Sequence, residues 1–120
     1  MIKSILLVDD EEEIVNFLEH FLKRFKIPSI KVTSGFEALN IYDKERIDFV
    51  FLDIQLKDID GFEVLKQLKK KDPQARVIML TGKSEKDFQD KAKRLGAIDY
   101  ITKPLDLSDL KDKINKYLLE

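Results

Sequence analysis

The strongest constraint in this chain is a rhythm: short apolar runs alternate five times with segments of helical period along its whole length. Residues 4–8 precede a helical stretch at 11–26, 29–32 precede 35–45, 49–52 precede 61–71, 76–80 precede 85–94, and 99–102 precede 107–119. Adjacent parallel strands need a crossover of about a dozen residues or more, which a helix supplies. Five βα units therefore predict an α/β domain, a doubly wound parallel sheet with helices on both faces. At 120 residues, 43% hydrophobic and 38% charged, the chain is expected to form one domain over residues 1–120.

Strand chemistry predicts the order. Ile5-Leu6-Leu7-Val8, Phe49-Val50-Phe51-Leu52 and Val77-Ile78-Met79-Leu80 are apolar on both faces and belong in the centre. Ser29-Ile30-Lys31-Val32 and Asp99-Tyr100-Ile101-Thr102 carry polar residues, as edges do. The simplest arrangement is 2-1-3-4-5, a flavodoxin-like (βα)5 sheet, whose chain reversal between strands 1 and 3 opens a ligand crevice at their carboxyl ends. The first helix offers a broad apolar stripe of Ile14, Phe17, Leu18, Phe21, Leu22 and Phe25, whereas the fourth offers only Phe88, Ala92 and Leu95 and should be the loosest.

Composition removes several function classes. With no cysteine, a disulfide framework, a thiolate metal site and a thiol nucleophile are all excluded. Basic residues number 22 and acidic ones 23, so no overall basic field points to nucleic acid. The short apolar run at 5–8 before an acidic cluster is neither a signal peptide nor a membrane span, and a cytoplasmic protein is expected. Function must sit in a local site.

That site is predicted where polar residues end the strands: Asp9-Asp10, Asp53, Thr81 and Thr102-Lys103 should ring one crevice. Carboxylates about 4 Å apart repel by roughly 4 kcal/mol at an effective dielectric near 20, which calls for a proton, a cation or a metal. Oxygen ligands without His or Cys select a hard ion, and a few carboxylates with room for water and phosphate suit Mg²⁺ better than Ca²⁺. Lys103 adds a second positive charge.

Leu7-Val8-Asp9-Asp10-Glu11, Leu52-Asp53-Ile54, Asp60-Gly61, Leu80-Thr81-Gly82 and Tyr100-Ile101-Thr102-Lys103-Pro104-Leu105 together resemble response-regulator receiver domains across essentially the whole chain. The resemblance implies that Asp53 accepts a phosphoryl group from a sensor histidine kinase or phosphotransfer protein. It further implies that Asp9, Asp10, Asp53 and the main-chain carbonyl of Gln55 hold Mg²⁺. Lys103 would pair with phosphoryl oxygens, Thr81 would turn its hydroxyl toward them, Tyr100 would change rotamer in step, and the Lys103-Pro104 bond would be cis. The fourth helix, fifth strand and fifth helix would form the face read by a downstream protein or output domain, and a homodimer is compatible with this. Such a domain catalyses only its own phosphorylation and dephosphorylation. A stand-alone receiver and a domain of a longer protein fit the sequence equally.

Competing readings meet obstacles. Asp10 also suits the N-cap of the first helix, with Glu13 completing a capping box, and both roles can coexist. His20-Phe21-Leu22-Lys23-Arg24 resembles the phosphorylatable segment of histidine phosphotransfer domains, which are helical bundles, so a solvated His20 is expected. Asp58-Ile59-Asp60-Gly61 hints at an EF-hand, but Leu56 and Gln67 stand where acids are needed. A nucleotide or flavin site would want a Gly-rich first loop, and here that loop is acidic. Phosphatases of the haloacid-dehalogenase type begin Asp-x-Asp, against Asp9-Asp10-Glu11 here. A pseudo-receiver that binds partners without phosphorylation would normally have lost its acidic pocket. The chain departs from the family at Leu56-Lys57, where a proline is common and its φ constraint is missing, and at Gln55 and Lys83, positions that influence hydrolysis.

Overall fold

Strands and helices alternate as β1 (Ile5–Val8), α1 (Glu12–Lys23), β2 (Ser29–Val32), α2 (Gly35–Lys44), β3 (Phe49–Asp53), α3 (Gly61–Lys71), β4 (Val77–Thr81), α4 (Lys86–Arg94), β5 (Asp99–Thr102) and α5 (Leu107–Tyr117). The computed structural model describes residues 4–82 and 86–119; Lys83 and the predicted start of the fourth helix at residue 85 lie outside the described residues. The sheet is parallel throughout, in the order β2-β1-β3-β4-β5, as the strand chemistry requires.

β1, β3 and β4 are buried along their whole length, while β2 and β5 keep partly exposed positions at the edges. The two-residue period of the strands then sorts the core into two layers. Leu6, Val8, Val50, Leu52 and Met79 pack under α2, α3 and α4; Ile5, Leu7, Phe51, Ile78 and Leu80 pack under α1 and α5.

The helices differ in anchorage. α4 buries only Ala92 completely, with Phe88 and Leu95 packed partly against the core. α5 buries Leu110 and Ile114 and is also tied to β5, because Asp99 accepts the Tyr117 hydroxyl at 2.7 Å and pairs with Lys113 at 3.3 Å. Partial burial works against the Asp99 carboxylate, yet Tyr117, the Tyr100 N–H and Lys113 outweigh it and hold its pKa below the usual carboxylate value.

Three expectations are corrected. α1 stops at Lys23, short of the apolar period, because Lys26 takes the left-handed conformation (φ 59°) and Ile27 N–H returns to the Leu22 carbonyl at 3.1 Å. That closure usually falls to glycine, so the sequence carried no obvious stop. Phe17 is 39% exposed, stacked on Phe21, and Val15 takes the buried place instead. Asp10 does not cap α1: the N-cap residue is Glu11, without a side-chain cap, and its N–H donates to Asp9 Oδ1 at 2.9 Å.

All five strands run the same way, so their carboxyl ends share one edge, and α3 begins tightly against it. A Cβ on Gly61 would stand 2.2 Å from the Asp53 carbonyl oxygen and 2.7 Å from the Ile54 Cα. Gly61→Ala must therefore displace backbone, and we expect it to lower stability by about 2–3 kcal/mol in urea denaturation. Gly82→Ala, with nothing within 4 Å of the added carbon, should change stability by less than about 1 kcal/mol.

Candidate functional site

Asp9 directly follows β1 and Asp53 ends β3, the two strands that flank the chain reversal, so their carboxylates meet. Each of Asp9, Asp10 and Asp53 offers an oxygen within 4.8 Å of the others. Asp9 and Asp53 are buried and Asp10 is half-buried. Backbone pins orient the inner pair: Asp9 Oδ1 accepts the Glu11 N–H at 2.9 Å and Asp53 Oδ1 accepts the Gln55 N–H at 3.2 Å.

Lys103 reaches this group from the end of β5. Its Nζ lies 2.7 Å from Asp9 Oδ2, 3.4 Å from Asp53 Oδ2 and 3.7 Å from Glu11 Oε1. Its shortest contact, with Asp9 Oδ2, is a buried charge-assisted pair. Desolvation opposes the Lys103 ammonium, but Asp9, Asp53 and Glu11 outweigh it and raise its pKa. Asp53 shows the opposite imbalance. Burial and the neighbouring Asp9 carboxylate push its carboxyl up to about 6, against the pull of Lys103 and the Gln55 N–H.

One ammonium is thus shared among Asp9, Asp53 and Glu11, with Asp10 beside them. An oxygen-only, net-negative cluster of this kind fits a hard divalent cation. Gln55 follows on the β3–α3 loop, exposed, with its carbonyl two residues beyond Asp53.

The remaining predicted residues divide into near and far. Thr81 is buried at the end of β4, and its carbonyl accepts the Lys103 N–H at 2.7 Å. The Lys103-Pro104 peptide is cis. Tyr100 is not in the crevice: it packs against the layer beneath α2–α4, with Lys93 Nζ 5.9 Å from its ring centroid. His20 is exposed on α1, and Lys57 is exposed on the β3–α3 loop. The acids of the apparent calcium loop are occupied elsewhere. Asp60 Oδ1 accepts the Phe62 N–H at 2.7 Å and caps α3, while Asp58 accepts two N–H groups at the start of α2. Despite slight burial, those donors, Phe36 and Gly35, hold the Asp58 carboxyl below its ordinary pKa. Sequence reasoning missed this use of Asp58, and also the approach of Glu11 to Lys103. An acid in a loop facing Ser34-Gly35 was the only available signal for the former.

Comparison with known proteins agrees with this geometry. Residues 5–115 match the family model described as the response regulator receiver domain. The chain is 36% identical over 118 residues to sporulation initiation phosphotransferase F of Bacillus subtilis, covering 98% of this chain and 95% of that protein. It is 38% identical over 118 residues to the alkaline phosphatase synthesis transcriptional regulatory protein PhoP of the same organism, covering 98% of this chain but 49% of PhoP. The chain thus spans nearly all of one curated relative and about half of the other. Among solved structures, the receiver domain of Saccharomyces cerevisiae Ssk1, crystallised with the histidine phosphotransfer signalling protein Ypd1, superposes with a TM-score of 0.86 at 28% identity, covering 95% of this chain and 87% of that one. With its whole sheet and its acidic edge inside the family match, this chain belongs to the response regulator receiver domains of two-component phosphorelay signalling.

Proposed function

We propose that Asp53 is the phosphoryl acceptor of this receiver and that Asp9, Asp10, Lys103 and Thr81 serve the transfer. The observation that carries this reading is the Asp53 carboxylate, buried at the end of β3 between two acids and the Lys103 ammonium. An Asp53 oxygen attacks the phosphorus of a phosphohistidine in line. The P–N bond breaks, its electron pair returns to the imidazole nitrogen, and an acyl phosphate forms on Asp53. Phosphoryl transfer asks chiefly for positioning and for neutralisation of the equatorial oxygens. Lys103, at 3.4 Å from Asp53 Oδ2, is placed to pair with one of them. Asp9, Asp10, Asp53 and the Gln55 carbonyl would hold Mg²⁺, which when bound neutralises phosphoryl charge.

The acyl phosphate brings nearly two negative charges to the strand ends. The Thr81 hydroxyl turns toward them, Tyr100 changes rotamer in step, and the α4–β5–α5 face is read by a downstream protein, an output domain or a second copy in a homodimer. The switch set is then Thr81, Tyr100, Lys103 and Pro104. The donor is a sensor histidine kinase or a phosphotransfer protein, in keeping with the Ypd1 complex of the Ssk1 receiver. We read residues 1–120 as a single receiver domain working in the cytoplasm, a signalling unit that catalyses only its own phosphorylation and dephosphorylation. Among the described residues no helix is long and apolar enough to cross a membrane.

Incubation with acetyl phosphate and Mg²⁺ tests the acceptor directly. Intact mass should rise by one phosphoryl group in the parent, and the gain should vanish with Asp53→Asn or on chelation with EDTA; labelling that survives in the variant would overturn the assignment. Lys103→Ala should slow labelling by roughly 10²-fold, the scale of losing one preorganised charge-stabilising donor. Thr81→Ala should still be labelled, but the phosphorylation-dependent NMR shifts at Tyr100 should disappear.

The raised Asp53 pKa makes a separate prediction for the metal-free protein. Between pH 3.8 and about 6 folded Asp53 binds more protons than unfolded Asp53, so stability falls as pH rises through that window. The cost is complete above about pH 6 and absent below 3.8. Asp53→Asn should therefore stabilise the metal-free protein by about 2–3 kcal/mol at pH 7.5 and hardly at all at pH 4, as read by urea melts at the two pH values.

A further inference from the structure

We propose that Asp58 is a positioning residue for the acceptor site: its carboxylate clamps the β3–α3 loop, which carries Gln55, onto the N-terminus of α2. The inference rests on the reading of Asp53 as acceptor and of the Gln55 carbonyl as part of the metal site.

Three observations support it. First, the N–H groups of Gly35 and Phe36 donate to Asp58 Oδ1 and Oδ2, each at 3.0 Å. These are the first two donors of α2, which no intrahelical partner can satisfy, and a carboxylate at the positive end of a helix gains from both charge-assisted bonding and the dipole. α2 already has its own cap, since Ser34 Oγ accepts the Glu37 N–H at 3.1 Å. Asp58 therefore adds a bond between elements that lie 22 and 23 residues apart in the chain.

Second, the helix start lies flat against the same loop. A Cβ on Gly35 would meet Ile59 Cγ2 at 2.2 Å and Leu56 Cδ1 at 3.3 Å. Leu56 and Ile59 are partly buried against the core, so an apolar seal adjoins the polar clamp.

Third, the clamp fills a gap in the loop's other restraints. At its entry Ile54 N–H donates to the Leu80 carbonyl at 3.0 Å and Gln55 N–H to Asp53 Oδ1 at 3.2 Å. At its exit Gly61 N–H donates to the Ile54 carbonyl at 2.9 Å and Asp60 caps α3. Residues 56–59 between them contain no proline to limit φ. The Asp58 clamp sits in the middle of that stretch and limits the excursions of the peptide that presents the Gln55 carbonyl. A restraint proline would make covalently is made here by a carboxylate and two peptide dipoles.

The test compares Asp58→Ala, Asp58→Asn and Ser34→Ala with the parent and with Asp53→Asn. Each protein is measured for Mg²⁺ affinity by calorimetry, for acetyl phosphate labelling rate at saturating Mg²⁺, for the Gln55 amide line width by NMR, and for its urea midpoint. Ser34→Ala is the control for helix capping, since it weakens the same end of α2 without touching the loop. Both Asp58→Ala and Ser34→Ala should lower the urea midpoint. Only Asp58→Ala should weaken Mg²⁺ binding, by roughly tenfold as for outer-shell partners of a metal site, and broaden the Gln55 amide. Asp58→Asn, which keeps one acceptor oxygen, should fall between, and it carries the test where the alanine variant fails to fold. Parental Mg²⁺ affinity in the Asp58 variants, or an equal loss in Ser34→Ala, overturns the proposal. A parent that binds no Mg²⁺, or binds it no better than Asp53→Asn, overturns the metal-site reading and this inference with it, while labelling that survives in Asp53→Asn overturns the acceptor reading.

Discussion

Everything at the functional edge follows from an unbalanced charge count. Asp9, Asp10 and Asp53 are brought within ligand distance of one another, and Lys103 is the one ammonium in contact with the buried pair among the described residues. In water these charges would be screened; at the end of a buried sheet they are not. The imbalance is expressed in two ways at once, as an Asp53 carboxyl pushed up to about 6 and as a single Lys103 ammonium shared among Asp9, Asp53 and Glu11. Both are relieved by added positive charge, and a site so poised responds strongly to any change in the charge on Asp53.

The fold bears that cost because the centre of the sheet is apolar. β1, β3 and β4 contribute fully buried Leu, Ile, Val, Phe and Met side chains to two layers, each fully buried large side chain being worth about 1.5–3 kcal/mol. Parallel strands also oblige every carboxyl end to the same edge, so the polar residues that terminate β1, β3, β4 and β5 converge without any special loop. Gly61 then lets α3 begin directly against the Asp53 carbonyl, and Gly35 lets α2 begin against Leu56 and Ile59 of the β3–α3 loop.

How far this could be read in the sequence depended on the range of the interaction involved. Alternating apolar runs disclosed the strand order, since Phe49-Val50-Phe51-Leu52 can only be satisfied with helices on both faces while Lys31 on β2 needs an edge. Convergence of Asp9, Asp53 and Lys103 followed from that order. Features set by single backbone dihedrals or by local polar contacts did not: the left-handed Lys26 ended α1 where periodicity continued, and α1 starts one residue later than an Asp10–Glu13 capping box would place it, with the Glu11 N–H held by Asp9. The calcium-loop reading of Asp58 failed on Leu56 and Gln67, but no other role could be read for it, because its partners, two peptide N–H groups on α2, carry no residue identity that a sequence can display.

Unequal anchorage of the helices then decides where a change of charge at Asp53 can be accommodated. α5 is held by buried Leu110 and Ile114 and by the Asp99–Tyr117–Lys113 clasp, so moving it would expose apolar surface and strand a carboxylate that is only partly solvated. α4 has much less to lose. It is attached by Ala92, by the stacking of Phe88 on Phe62 at 6.1 Å and by Lys91, whose Nζ lies 4.6 Å from the Phe62 centroid. Those last two contacts end on the residue next to Gly61, which is itself packed on the Asp53 carbonyl. An energetically cheap helix fastened to the first turn of α3 therefore lies one step from Asp53. Under the proposed function, the conformational response would begin at α4, because the core holds it least and its remaining contacts end beside Gly61.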